Sequence, residues 1–96
     1  MGKQRTLSGI QTTGALHLGN YLGAIRNWVA LQKDYDSFYF MADLHAITVP
    51  HDPKTLAENT FRVAATYIAC GIDPEQSTIF VQSHIPAHSE LAWLFN

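Results

Sequence analysis

Two glycines, a histidine and an asparagine stand close together early in the chain, in the stretch SGIQTTGALHLGN. Gly9 and Gly14 permit backbone angles or close approaches that a β-carbon would block, so the backbone N–H groups between them can wrap a ligand. His17 and Asn20 are three residues apart and share one side of a helical turn. At a strand-to-helix turn such donors suit phosphate oxygens and can stabilise the charge that builds during nucleotidyl transfer.

The alternative for this stretch is an ordinary glycine-containing loop with a packed histidine. Two other phosphate-binding patterns are absent, because the sequence holds neither G-x-x-x-x-G-K-[ST] nor a G-x-G-x-x-G after a strand. A Walker loop and a dehydrogenase fingerprint are therefore excluded within this sequence. The combination of glycines, His17 and Asn20 after an apolar segment favours the phosphate-binding interpretation.

Two further polar groups follow later strands. Asp43 and His45 are two residues apart near a strand end and are expected on one face. They form a catalytic or metal pair, or Asp43 orients a neighbour or caps the next turn. His84 and His88 have the i, i+4 spacing that suits zinc on a helix, but Pro86 interrupts that helix and no third ligand is evident. No metal site is predicted.

These groups are positioned by alternating apolar segments. Strands are predicted over 6–10, 37–42 and 77–83, and the middle one has the continuous apolar pattern of a strand buried on both faces. Helices are predicted over 17–33, from Pro53 after an Asp52 cap to the Gly71 stop, and from Pro86 to the end. The inner face of the first helix is predicted from residues spaced four, three and four apart, namely Leu18, Leu22, Ile25 and Val29.

The element order is therefore β-α-β-α-β-α, which predicts an α/β fold with right-handed crossovers and a Rossmann-like parallel sheet. Ligands of such sheets bind beyond the carboxyl ends of the strands. Those ends lead into QTTGALHLGN, DLHAIT and SHIPAH, so all the polar groups are expected at one edge of the sheet. Three parallel strands leave two open edges, and we expect more polypeptide to cover them.

Composition limits the function classes. The 96 residues fit one small domain, and 47% hydrophobic with 15% charged residues can form a core. A net charge of −2 without a basic stripe argues against electrostatically driven nucleic-acid binding by these residues. The single cysteine, Cys70, excludes an internal disulfide, is expected as a buried small hydrophobe, and favours a reducing compartment. Without a secretory leader or a membrane-length apolar run, a cytoplasmic protein with no membrane association is expected.

At this point the sequence resembles a known family. SGIQTTGALHLGNYLGAIRNWVALQ is similar to the opening of class I aminoacyl-tRNA synthetases, in particular their tryptophanyl branch, and His17–Asn20 stand where the class has its His-x-Gly-His element. DLHAITVPHDP and GIDPEQSTIFVQSHIPAHSELAW resemble the next two segments, so the likeness spans essentially the whole chain. Thr12 departs from it, because the family usually has proline there.

The resemblance implies tryptophan activation by ATP, followed by transfer of the tryptophanyl group to its tRNA. It implies His17 and Asn20 as catalytic residues and Leu7 and His45 as substrate-binding residues. ATP contacts are implied by position for a longer set, namely Gly9, Gln11, Thr12, Thr13, Gly19 and Asn20. Mg²⁺ is expected to accompany ATP without a dedicated protein cage, and SHIPAH is implied to lie near the interface of a homodimer.

The chain matches the amino-terminal, nucleotide-binding half of such a catalytic domain. It lacks the family's second ATP-binding element, Lys-Met-Ser-Lys-Ser, the segment that selects indole, and the anticodon-binding region, so these 96 residues are expected to be inactive alone. Two alternatives stay open. One is another nucleotidyltransferase with a histidine-containing turn, such as a tyrosyl-tRNA synthetase or a cofactor adenylyltransferase. The other is a non-catalytic interaction module.

Overall fold

A computed structural model describes residues 2–12 and 18–96, apart from the side chain of Leu18. Strands and helices alternate along this part as predicted, with three additions: a π-helical turn inside the first helix, a one-turn helix directly after the second strand, and a 3₁₀ turn that includes the last two residues of the predicted third strand. The elements are β1 (Arg5–Gln11), α1 (Leu18–Asn20), the π turn (Tyr21–Ile25), α2 (Arg26–Leu31), β2 (Asp36–Ala42), α3 (Asp43–Ala46), α4 (Pro53–Ala69), β3 (Ser77–Val81), a 3₁₀ turn (Gln82–His84) and α5 (Pro86–Phe95).

The strands form one parallel sheet in the order β1-β2-β3. Across it, Ile10 pairs with Met41 and Met41 with Val81, so the carboxyl ends of all three strands lie at the same edge. This confirms the predicted Rossmann-like arrangement. The connections through helices put chain on the sheet faces and leave the strand ends accessible to a ligand.

One face of the sheet carries the hydrophobic core. Trp28 stacks on Tyr39 with ring centroids 4.6 Å apart and meets Tyr67 edge-on at 5.4 Å. Aromatic pairs in these geometries contribute about 0.5–1.5 kcal/mol beyond their buried area. The buried cluster comes from the first helix, β2, α4 and the turn before β3. It consists of Ile25, Trp28, Tyr39, Met41, Val63, Tyr67 and Ile72.

The predicted inner face of the first helix is partly wrong. Ile25 is buried and Val29 packs on the core, but Leu22 is 47% exposed, whereas Trp28 and Gln32 are buried. The π turn over Tyr21–Ile25 is the reason, because its wider turn changes the angle between successive side chains and an α-helical period no longer applies.

The other face of the sheet is only lightly covered. β2 alternates buried and half-buried residues, so the prediction of a strand buried on both faces is wrong. On this open face, Leu7 of β1 is 59% exposed. The imidazole of His88, from α5, meets Phe80 edge-on at 5.7 Å. The far end of α5 exposes Trp93, Leu94 and Phe95, each at least 75% accessible.

The long helix α4 begins and ends as its sequence predicts. The Asp52 carboxylate accepts the backbone N–H of Lys54 at 3.0 Å, and Pro53 occupies the first turn. Gly71, at φ +115°, ends the helix in the left-handed region. Cys70 is a free thiol at the helix end and is half-buried, which is less than the expected full burial. In the described part of the chain, no helix is long and apolar enough to span a membrane.

Tyr67 joins β1 to β2 through its hydroxyl. This side chain on α4 is fully buried. Its oxygen accepts the N–H of Ile10 on β1 at 3.1 Å and donates to the carbonyl of Phe40 on β2 at 2.9 Å. The core helix therefore fixes the spacing of two strands just before their carboxyl ends. Burial raises the pKa of the Tyr67 hydroxyl, an effect that the bond from Ile10 partly opposes.

Gln32, just after α2, fastens the first helix to the loop before β3. Its Nε2 donates to the carbonyl of Gly71 at 2.8 Å. Its Oε1 accepts the N–H of Asp73 at 2.7 Å and the hydroxyl of Ser77 at 3.1 Å. A buried amide with three partners is a satisfied one, so this polar side chain supports the core rather than weakening it.

Candidate functional site

The carboxyl edge of the sheet collects the polar segments predicted to act together. β1 ends at Gln11 and is followed by Thr12, β2 runs directly into α3, and β3 runs into the 3₁₀ turn Gln82–His84. The structure brings Gln11 and His45 into direct contact, because the Gln11 Nε2 donates to the His45 carbonyl at 3.3 Å. The end of the first strand and the segment after the second strand therefore form one surface.

Thr12 is the residue at this edge with the clearest unmet bonding capacity. It is fully buried, and its Oγ1 has no hydrogen-bond partner among the described residues. It lines a cavity of about 210 Å³ between α3 and the start of α4. A buried hydroxyl without a partner costs about 1–3 kcal/mol, so a partner outside the described residues is expected.

The start of the first helix follows the end of β1 along the chain and is described only from Leu18 onward. Gly19 is exposed and Asn20 is half-buried, and both take part in interactions within the protein. The predicted ligand residues Thr13, Gly14 and His17 lie outside the described residues. Of the predicted catalytic pair, the structure thus locates Asn20 alone, and the roles of both residues stay predictions.

Gly9 has a packing function that the sequence did not indicate. The ring of Phe40, its neighbour on β2, lies over it: a β-carbon built on Gly9 would stand 2.6 Å from a ring carbon. The close approach that glycine permits here is therefore to an aromatic ring on the open face of the sheet. A role of Gly9 in binding ATP stays a prediction.

His45 lies in α3 with an exposed side chain. It lines a cavity of about 400 Å³ between α3 and α5, together with Gln82 and His88. Its carbonyl, besides accepting from Gln11, accepts the hydroxyl of Thr48 at 2.7 Å. The backbone of His45 is held from two sides, while its imidazole is accessible to a ligand.

Leu7 lies on the open face of the sheet, farther than Gln11 from the carboxyl end of β1. It lines a depression of about 430 Å³ together with Phe38 and Phe80. Leu7 and His45, both predicted to bind the substrate, therefore line different cavities. Because alternate residues of a strand share a face at about 3.3 Å per residue, Leu7 and Gln11 stand on the same side of β1, about 13 Å apart.

The remaining histidines fall in separate environments. His84 closes the 3₁₀ turn and His88 lies in α5, with Pro86 at the start of that helix, so the two share no continuous helix. His51 holds its own loop through a bond between Nδ1 and the Val49 carbonyl at 3.0 Å. Within residues 2–12 and 18–96, no three His, Cys, Asp or Glu side chains are grouped as a metal site.

Sequence reasoning missed two residues at this edge, Gln82 and Ser83. The Oε1 of Gln82 is buried and has no hydrogen-bond partner in the described part of the chain. Ser83 bonds the carboxylate of Asp43 through both its N–H and its hydroxyl. The sequence predicts both inside the third strand, over 77–83, but that strand ends at Val81 and the polar turn after it begins at Gln82.

Comparison with known proteins places the chain among synthetases. A family profile described as tRNA synthetases class I (W and Y) matches residues 2–96. The tryptophan–tRNA ligase of a Nostoc species is 69% identical over all 96 residues, and that of a Synechocystis species is 68% identical over the same length. The chain spans 29% and 28% of these two relatives.

Solved structures agree with these relatives. The tryptophanyl-tRNA synthetase of Mycoplasma pneumoniae matches 95% of this chain with a TM-score of 0.91 at 43% identity. That of Campylobacter jejuni, crystallised in complex with ADP and tryptophan, matches 95% with a TM-score of 0.86 at 40% identity. The matched parts are 27% and 28% of those chains, so the likeness concerns one segment of each.

Proposed function

Because the chain belongs to the class I tRNA synthetases of the tryptophan and tyrosine group, we propose that it is the nucleotide-binding part of a tryptophan–tRNA ligase. The observation that carries this proposal is the similarity to the Campylobacter jejuni structure, which holds ADP and tryptophan. The curated relatives named above support tryptophan rather than tyrosine. The accessible carboxyl edge of the sheet is where a ligand of this fold binds.

In the proposed reaction, a carboxylate oxygen of tryptophan attacks the α-phosphorus of ATP. The new oxygen–phosphorus bond replaces the bond to pyrophosphate, which leaves, and tryptophanyl-adenylate forms. A ribose hydroxyl of tRNA(Trp) then takes the tryptophanyl group and releases AMP. The enzyme's contribution is orientation and stabilisation of phosphate charge, to which backbone N–H groups and neutral donors can contribute.

The residues proposed for the nucleotide surround the first strand-to-helix turn. His17 and Asn20 would donate to the phosphates as charge develops, while Gln11, Thr12, Thr13 and Gly19 would contact ATP. The buried Thr12 hydroxyl, which has no hydrogen-bond partner within residues 2–12 and 18–96, supports a polar partner at this turn. Gly9 would support the turn indirectly, by letting β1 pack closely against the Phe40 ring.

For the amino acid, His45 is the proposed ligand at the cavity beside α5, and Leu7 would wall the indole. Because Leu7 and His45 line different cavities, one molecule of tryptophan can contact both only if the binding site extends along the open face of the sheet. The half-buried aromatic rings on the open face of the sheet, Phe38, Phe40 and Phe80, suit an indole ring. The described part of the chain offers no cluster of metal ligands, so Mg²⁺ would be held by the ATP phosphates.

The wider setting of the enzyme is also proposed. A cytoplasmic homodimer without membrane association would use the exposed apolar end of α5 in or near its subunit interface. The 96 residues correspond to less than a third of their relatives, and they lack the Lys-Met-Ser-Lys-Ser element, so we expect them to be inactive alone.

Tryptophan-dependent ATP–pyrophosphate exchange tests this function. The complete product of the gene that encodes this chain is expected to catalyse exchange with tryptophan and not with tyrosine. Asn20→Ala is expected to lower kcat by about 10²-fold, the order lost with one transition-state donor. Exchange driven by tyrosine, or none with any amino acid, would contradict the proposal. Steady exchange by the 96 residues alone would contradict their expected inactivity.

A further inference from the structure

The one-turn helix α3 has little stability of its own. It spans Asp43–Ala46, and the residue before it, Ala42, supplies no side-chain cap. A single helical turn fixes several backbone angles for one hydrogen bond, which is unfavourable without outside support. The position of His45 within this turn must therefore be set by bonds to neighbouring elements.

Those bonds come from both flanking strands. On one side, Gln11 at the end of β1 donates to the His45 carbonyl at 3.3 Å. On the other side, the Asp43 carboxylate accepts the Ser83 N–H, just after β3, at 3.0 Å and also accepts the Ser83 hydroxyl. Residues 43 and 83 are 40 positions apart, so this contact exists only in the folded sheet.

The Asp43–Ser83 contact joins two segments whose nearby residues, His45 and Gln82, line one cavity. Gln82, next to Ser83, lines the same cavity as His45, and its buried Oε1 has no partner among the described residues. The Asp43–Ser83 contact thus fixes the distance between two walls of the cavity, one carrying His45 and the other carrying Gln82.

We propose that Asp43 is a positioning residue for the amino-acid site: by binding Ser83 it holds α3, and with it His45, against the end of β3. This inference rests on the function proposed above. It selects one of the roles that the sequence left open for Asp43, and it requires two hydrogen-bonding groups at that position, one of them an acceptor for the Ser83 N–H, rather than a negative charge.

Two substitutions separate positioning from a role in metal binding or proton transfer. Asp43→Asn keeps an oxygen that can accept the Ser83 N–H, and its amide can donate to the Ser83 hydroxyl oxygen. Asp43→Ala loses both bonds. A metal ligand or a general base would lose its function in both variants, because both remove the carboxylate.

The measurement is ATP–pyrophosphate exchange by the complete gene product, with tryptophan and ATP varied separately. Asp43→Ala is expected to raise KM for tryptophan about tenfold, equivalent to about 1.4 kcal/mol, and to change KM for ATP less than about twofold. Asp43→Asn is expected to stay within about threefold of the parent protein. Asp36→Ala is the matched control. Asp36 begins β2, whereas Asp43 directly follows the other end of that strand, and the Asp36 carboxylate pairs with Arg5. Neither KM should change in this variant.

Each outcome has a distinct meaning. Without tryptophan-dependent exchange by the parent protein, the proposed function is wrong. With an active parent, an unchanged KM for tryptophan in Asp43→Ala, or equal damage in Asp43→Asn and Asp43→Ala, overturns the positioning role. If Asp43→Ala does not fold, Ser83→Ala removes one of the two bonds and keeps the backbone one. It should raise KM for tryptophan about threefold, and an unchanged value would likewise overturn the inference.

Discussion

Removing the hydroxyl of Tyr67 tests whether α4 sets the spacing of β1 and β2. Tyr67→Phe keeps the ring in the core, where it meets Trp28 edge-on, and deletes only the oxygen. That oxygen bonds the Ile10 N–H at 3.1 Å and the Phe40 carbonyl at 2.9 Å. The substitution therefore leaves a donor and an acceptor inside the sheet without this partner.

The expected loss of stability follows from those two bonds. A net hydrogen bond contributes about 0.5–1.5 kcal/mol, and leaving a buried group unsatisfied costs about 1–3 kcal/mol. Because the strands can close slightly and pair the two freed groups with each other, we place the loss near the lower sum, at about 2 kcal/mol. Closing the strands would also shift Gln11, the next residue of β1, relative to α3.

Urea denaturation of the complete gene product measures this loss, and amide hydrogen exchange locates it. The free energy of unfolding should fall by about 2 kcal/mol in Tyr67→Phe with an unchanged denaturant slope. The Ile10 amide should exchange faster than in the parent protein. Two variants serve as controls: Tyr39→Phe loses a single bond to the Trp28 carbonyl, and Tyr21→Phe alters a partly exposed residue and should cost less than about 0.5 kcal/mol. Equal stability of Tyr67→Phe and Tyr21→Phe, or unaltered exchange at Ile10, would refute the reasoning.

Three further predictions concern stability. Burial raises the pKa of Tyr67 above its usual 10.0, so the protonated hydroxyl is favoured in the folded state. The free energy of unfolding should therefore be constant with respect to this group below pH 10 and fall by about 1.4 kcal/mol per pH unit above it. Urea unfolding between pH 8 and 11 should show a smaller alkaline fall in Tyr67→Phe. Gly9→Ala would bring a methyl group within 2.6 Å of the Phe40 ring, so the ring must move, and overpacking should cost about 1–3 kcal/mol in thermal unfolding. Gln32→Ala removes three hydrogen bonds and should cost about 2–4 kcal/mol by the same measurement, whereas Gln32→Glu should recover part of that loss through its retained acceptor oxygens.

The sequence predicted the order of elements well because local signals marked it. The Asp52 cap, Pro53 and Gly71 fix α4 through bonds within a few residues of each other. Likewise, the apolar runs of β2 and β3 stand alone between turns, so their pairing in one parallel sheet followed from connection length. These features need no knowledge of distant contacts.

The contacts between distant segments could not be predicted in the same way. The bond from Gln11 to His45 joins residues 34 positions apart, and nothing in the types of the two residues selects that pairing. The phase of the first helix failed for another reason, since the inner position expected for Leu22 assumed an unbroken α-helix. For Gly9, the sequence showed that space was needed at this position but not that an aromatic ring would fill it.

The π turn over Tyr21–Ile25 divides the first helix into two parts that make different contacts. The carboxyl part carries Trp28 and Gln32, whose contacts anchor it firmly. The amino part carries Gly19 and Asn20, two of the residues predicted to contact ATP. A π turn holds about one residue more than an α-helical turn, so it changes the rotation of the amino part relative to the carboxyl part. Adding or removing one residue at the π turn would therefore rotate Gly19 and Asn20 relative to Trp28, which would stay packed in the core.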